Sequence, residues 1–277
     1  MKKCLTLFLL ILCSCNLQNI ESNQILKTYS GNYQGNLIWS DEIFILGDTV
    51  IEGDLSIEPG TKVFFFVQDD QKSGNEFPAD GFNDFDPTRL KEYEVSHSVL
   101  HVLGKLNSVG TIENKIIFSS AAKNPKNADW ISVIISSDGS HIENSVVEWS
   151  RNGITLWGNQ PNTIIKNNII NNTFWGAISS DKSSAKILNN EIIRAGHEGV
   201  DVQGGNPLIK NNKISKSRTG IVIIDGSSII ENNELIDVGK GIYVKEGANP
   251  QIKDNIIEEI NEKSIFWFYD DFNYSII

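Results

Sequence analysis

The chain has 277 residues, of which 40% are hydrophobic and 21% charged, and a formal net charge of −11 at pH 7. That length and apolar content suit one domain with a sizeable core rather than a disordered chain, and the acidic balance argues against nucleic acid or anionic headgroups as partners. Its three cysteines, Cys4, Cys13 and Cys15, all stand at the N-terminus, so neither a disulfide framework nor a Cys-based metal site fits the body of the protein.

Met1, Lys2 and Lys3 form a basic start, and residues 5–12 are an apolar run too short to cross a bilayer. Leu12, Cys13, Ser14 and Cys15 then resemble a bacterial lipobox. The resemblance implies a signal peptide over residues 1–14 and a diacylglycerol on the Cys15 thiol. It places the protein in a bacterial cell envelope, periplasmic or at the cell surface, held to the lipid bilayer through its acyl chains. An ordinary secretory signal ending near a cysteine is the alternative. Residues 15–35 read as a polar tether and residues 36–277 as the folded domain.

The apolar residues 43–46 read as an N-terminal cap. An insertion over about residues 68–98 is rich in acids, and Asp80, Asn83, Asp84 and Asp86 crowd hard oxygen ligands together. That is a candidate Ca²⁺ cluster without EF-hand spacing, beside the alternative of a solvated acidic loop.

From Ile142 onward the chain repeats. Ile142, Ile165, Ile187, Ile209, Ile230 and Ile252 recur every 21 to 23 residues, followed two residues later by Asn144, Asn167, Asn189, Asn211, Asn232 and Asp254. Ser145, Asn168, Asn190, Asn212, Asn233 and Asn255 come next, then a second aliphatic column and a glycine column. Such a period marks a solenoid. The apolar runs are short, β-branched and broken by Asn, Gly and Pro, so strands fit and helices do not. One coil of about 22 residues accommodates three short strands. Asn tolerates left-handed backbone in the turn and can hydrogen-bond to the Asn above and below. The aromatic residues 266–269 read as a C-terminal cap.

These motifs resemble the right-handed parallel β-helix repeat family, whose pectate-lyase-like superfamily includes pectate lyases, polygalacturonases and periplasmic NosD-like proteins. The resemblance extends upstream to residues 53–63, to Leu103 and Gly104, and to Asp129 and Trp130, where Ser132 replaces a usual Gly. It implies an all-β fold, a single-stranded right-handed parallel β-helix with three strands per coil. It does not imply one function, since this fold hosts enzymes and binders alike.

Alternation after each glycine assigns sides to the following strand. Ile154, Ala177, Val200, Ile221 and Ile242 point inward. Thr155, Ile178, Asp201, Val222 and Tyr243 point outward, followed by Trp157, Ser180, Gln203, Ile224 and Lys245. Arg151, Trp175, His197, Glu198 and Arg218 stand just before the glycines. Aromatic rings at Trp157, Trp175 and Tyr243 beside Asp201, His197, Glu198, Arg151 and Arg218 suit a glycan, whose ring face stacks while its hydroxyls hydrogen-bond. The bland alternative is that the indoles pack on neighbours and the charges are solvated.

A polysaccharide lyase or glycoside hydrolase is the alternative to a carbohydrate-binding or surface-ligand-binding module. Residues 196–199 resemble part of a polygalacturonase motif whose other parts are absent. If the protein is an enzyme, Glu198, Asp201 and His197 are the acid–base candidates. A structural protein or adhesin is the third reading. No cofactor other than Ca²⁺ is indicated.

Overall fold

The computed structural model describes residues 27–67 and 97–258 and, for its backbone alone, the strand Ile265–Phe268. Every regular element among these residues is a strand. One coil runs through Ile164–Lys166, Ile169–Thr173 and Ile178–Asp181, and each strand pairs in parallel with its equivalent one coil on, in Lys186–Leu188, Glu191–Ala195 and Glu198–Gln203. The first of these faces is a nine-stranded sheet. The second and third faces form one 18-stranded sheet, because Lys27–Tyr33 and Glu42–Ile51 run across both without a break. The chain is therefore a parallel β-solenoid with three strands per coil.

The inward columns explain why these residues adopt this fold. Ile142, Ile165, Ile187, Ile209 and Ile230 are wholly buried on the first face, as are Val147, Ile170, Ile192, Ile214 and Leu235 on the second. Each such side chain contributes about 1.5–3 kcal/mol when buried. Near the N-terminal coils the aliphatic interior also takes in Trp130, stacked at 3.9 Å on Phe65, with its indole nitrogen donating to the Glu148 carbonyl.

The paired asparagines divide two tasks. Asn144, Asn167, Asn189, Asn211, Asn232 and Asp254 hold φ between 51° and 57°, the left-handed turn that short amide and carboxylate side chains tolerate. The following asparagines turn inward and build the ladder. Asn190 Oδ1 accepts from both the backbone and side-chain nitrogens of Asn168 at 3.0 Å, while its own Nδ2 donates to the Ile165 carbonyl and to Asn212 Oδ1, each at 3.0 Å. The same pattern continues through Asn233 to Asn255.

Two expectations change. The first strand, Lys27–Tyr33, falls inside the segment read as a tether and pairs with Glu42–Ile51, so the coils begin before residue 36. For the same reason residues 43–46 are an internal rung and not the cap; Tyr29, leaning on Trp39 at 4.8 Å, packs over the core at that end. Cys15, the signal segment, residues 68–96 with Asp80, Asn83, Asp84 and Asp86, and Tyr269 lie outside the described residues.

Asn190→Ala removes the acceptor of the Asn168 backbone N–H, one of the two acceptors of Asn168 Nδ2 and a donor to the Ile165 carbonyl, and is expected to lower unfolding free energy by about 2–4 kcal/mol. Asn189→Gly keeps the left-handed turn and should change it by less than about 1 kcal/mol. Urea unfolding of both variants checks this; equal stability of the two would remove the ladder from the account.

A candidate ligand-binding flank

The corner between the second and third faces carries most of the chemistry. Its turns are stacked by backbone hydrogen bonds from Trp175 N to Arg151 O, His197 N to Trp175 O and Thr219 N to His197 O. Stacked turns stack their side chains. The Trp175 and His197 rings lie 4.3 Å apart and 20° from parallel, and the Arg151 guanidinium carbon sits 5.9 Å from the Trp175 ring centre. Arg218 follows at the next corner and is exposed. Trp175 is thus occupied by neighbours from this chain and is not an open platform.

The strand after the corner is where the glycine alignment misassigns one coil. Ile154 pairs with Ile178, and Ile178 with Val200, so Ile178 and Ser180 point inward and are wholly buried. The outward row is Thr155, Ser179, Asp201, Val222 and Tyr243. One coil later, Gln203 faces Asp225 across a bulge that sets Ile224 out of register. Ser179, missed from sequence, accepts a hydrogen bond from Asn152 Nδ2 at 3.0 Å. The usable signal was chemical: Ile178 matches Val200, Ile221 and Ile242 better than Ala177 does.

Outward does not mean open here. Asp201 and Glu198 are each only 8% exposed, and Tyr243 4%. Both Asp201 carboxylate oxygens accept from Gln203 Nε2, at 2.8 and 2.9 Å. Burial, reinforced by the neighbouring Glu198 charge, pushes the Asp201 carboxyl up to about 7, against the opposing effects of Gln203 and His197. Glu198 Oε1 lies 3.8 Å from His197 Nδ1, while Glu198 Oε2 and Asn152 Oδ1 are buried without a hydrogen-bond partner. Burial likewise raises the Tyr243 hydroxyl, which stays un-ionised.

Trp157 stands apart from this cluster. It closes the strand Ile154–Trp157, four residues from Gly153, or about 13 Å along an extended chain. Its indole is 44% exposed, is held edge-on by His101 at 5.2 Å, and pairs in register with the exposed Asp181. His101 Nε2 lies 2.7 Å from Ser136 Oγ, and burial lowers its pKa, so the ring is neutral at neutral pH. The two tryptophans therefore belong to different places on the flank.

Residues 103–262, more than half of the chain, match the model of the family described as Periplasmic copper-binding protein (NosD). Neither a curated protein nor a solved structure matches the chain. Copper favours imidazole, thiolate and thioether donors. The donor set of the described residues does not fit it. His101 engages Ser136, His141 lies 2.9 Å from Glu143, and His197 stacks on Trp175. No three His, Cys, Asp or Glu side chains among the described residues are grouped to hold a metal ion.

Between pH 4 and 7 the folded chain keeps on Asp201 a proton that the unfolded chain has released. That contribution to stability is greatest below the unfolded pKa of 3.8 and disappears as pH rises through about 7. Asp201→Asn should remove this part of the pH dependence, gaining stability relative to the parent as pH increases. Thermal melts from pH 4 to 8 measure the difference; a constant gap between the two proteins would contradict the assignment.

Proposed function

The chain belongs to the NosD family, whose members are described as periplasmic, and on that premise we propose that it is an envelope-tethered module that binds glycan. The exposed indole of Trp157 carries this reading. It offers a flat apolar surface with one edge fixed by His101, and the next coils place the exposed Asp181 and Gln203 beyond it. Each coil advances the row by about 4.8 Å, comparable to the length of a hexose. A sugar ring on Trp157 thus meets hydrogen-bonding groups at the pitch of its neighbours in the polymer. Acylation of Cys15 provides the membrane anchor, with the acidic domain held away from anionic headgroups.

One observation favours a catalytic alternative: Asp201 retains its proton near neutrality beside Glu198, and glycoside hydrolysis requires an acid and a carboxylate. Appearance of reducing ends from polysaccharides, abolished in Glu198→Gln, would establish that alternative in place of simple binding.

Calorimetry with neutral and amino-containing oligosaccharides tests the binding reading. Trp157→Ala is expected to weaken the affinity by about ten-fold or more, equivalent to about 1.4 kcal/mol. Trp175→Ala should act mainly on thermal stability through its lost packing against His197. An unchanged affinity in Trp157→Ala, or no glycan bound by the parent, would overturn the proposal.

A further inference from the structure

We infer that the Glu198–Asp201 pair docks a single ammonium group, so that the glycan on the flank is one carrying free amino sugars. The inference deepens the glycan-binding reading and rests on it for the polymer, though not for the ammonium group itself.

The argument starts from an imbalance of donors and acceptors. Once Asp201 has released its proton, the two neighbouring carboxylates present four oxygens, and among the described residues one amide nitrogen, Gln203 Nε2, supplies the hydrogen bonds to them, both to Asp201. Glu198 Oε2 receives none and is buried. Asn152 spends its amide donor on Ser179, leaving Oδ1 buried and unmatched as well. Buried acceptors without donors are costly, and for carboxylates the cost is larger.

No Lys or Arg among the described residues pairs with Glu198 or Asp201. Arg151 stacks on Trp175, and Arg218 stands exposed at the next corner. A compact cation with several donors would supply what these described residues do not. An ammonium group supplies three N–H donors and one positive charge. No three His, Cys, Asp or Glu side chains are grouped here among the described residues to hold a metal ion.

Position ties the pair to the glycan row. Gln203 stands in that row one coil beyond Asp181, and it is Gln203 that holds Asp201. Gly176 lies against the pair, since a Cβ there would stand 3.0 Å from Ser179 Oγ, 3.8 Å from the Glu198 carbonyl oxygen and 4.0 Å from Asp201 Cβ, so a larger residue at 176 would crowd this point. A sugar seated past Trp157 and Asp181 brings an amino substituent to this point.

The test is calorimetry of the full chain with a glucosamine hexamer, its fully N-acetylated counterpart and spermidine. The parent, Glu198→Gln, Asp201→Asn, Trp157→Ala and the exposed second-face control Glu191→Gln are compared, with folding confirmed by thermal melts. The glucosamine oligomer should bind about ten-fold more tightly than the acetylated one. Glu198→Gln and Asp201→Asn should each erase that difference. Glu191→Gln removes the same charge as Glu198→Gln and should not, which separates docking from general attraction to an acidic protein. Equal affinity for both oligomers, or a preference that survives both carboxamide variants, overturns the inference. If neither oligomer binds while spermidine does, and Glu198→Gln abolishes it, the ammonium site stands and the glycan reading falls.

Discussion

Each buried asparagine of the ladder accepts from the coil before it and donates to the coil after it, so one side chain ties three successive coils in a single register. The constraint is severe, because a one-residue slip would leave both amide groups unmatched in the interior. Its trace is visible in connection lengths. The turn between the first and second faces is two residues in every coil from Asn167 to Asn255, and one at Asn144. The turn between the second and third faces spans residues 149–153, 174–177, 196–197 and 216–218 in successive coils, and residues 121–132 nearer the N-terminus.

Variation is thereby displaced from the ladder to the opposite corner, and the chemically distinctive residues follow it. Arg151, Trp175 and His197 stack there because the backbone turns beneath them stack. Glu198 and Asp201 then enter the third face next to that stack, sheltered enough for Asp201 to hold a proton near neutrality. Trp157 sits at the far end of the same face, where nothing among the described residues covers its exposed side. A rigid interior thus carries two different surfaces, one already filled by its own side chains and one that leaves the Trp157 side chain exposed.

Much of this was legible from residue order. Period, strand count and the inward Ile columns follow directly from spacing, because every coil must place the same side chains at the same depth. The flank was harder to read for a physical reason. Glycine marks the corner, but corner length is free to vary, so aligning Gly176 with Gly153 placed Ile178 and Ser180 outside and hid Ser179. Stacking of Trp175 on His197 was equally hidden, since alternation tells which side a residue takes and not which neighbour it touches. The strand Lys27–Tyr33 escaped notice because its polar residues carry no inward pattern of their own and gain order from pairing with Glu42–Ile51.

Family membership accounts for the coil and leaves the site to be argued from its own residues. The copper of the family's description meets no suitable donor group among the described residues of this chain, whereas buried acceptors without hydrogen-bond partners are present at Glu198 and Asn152. All of this depends on the interior register. Hydrogen exchange of the side-chain amides of Asn168, Asn190, Asn212 and Asn233 tests it most directly. The account predicts that these protons exchange together and only on global unfolding; exchange as fast as that of the exposed Asn206 and Asn249 amides would contradict it.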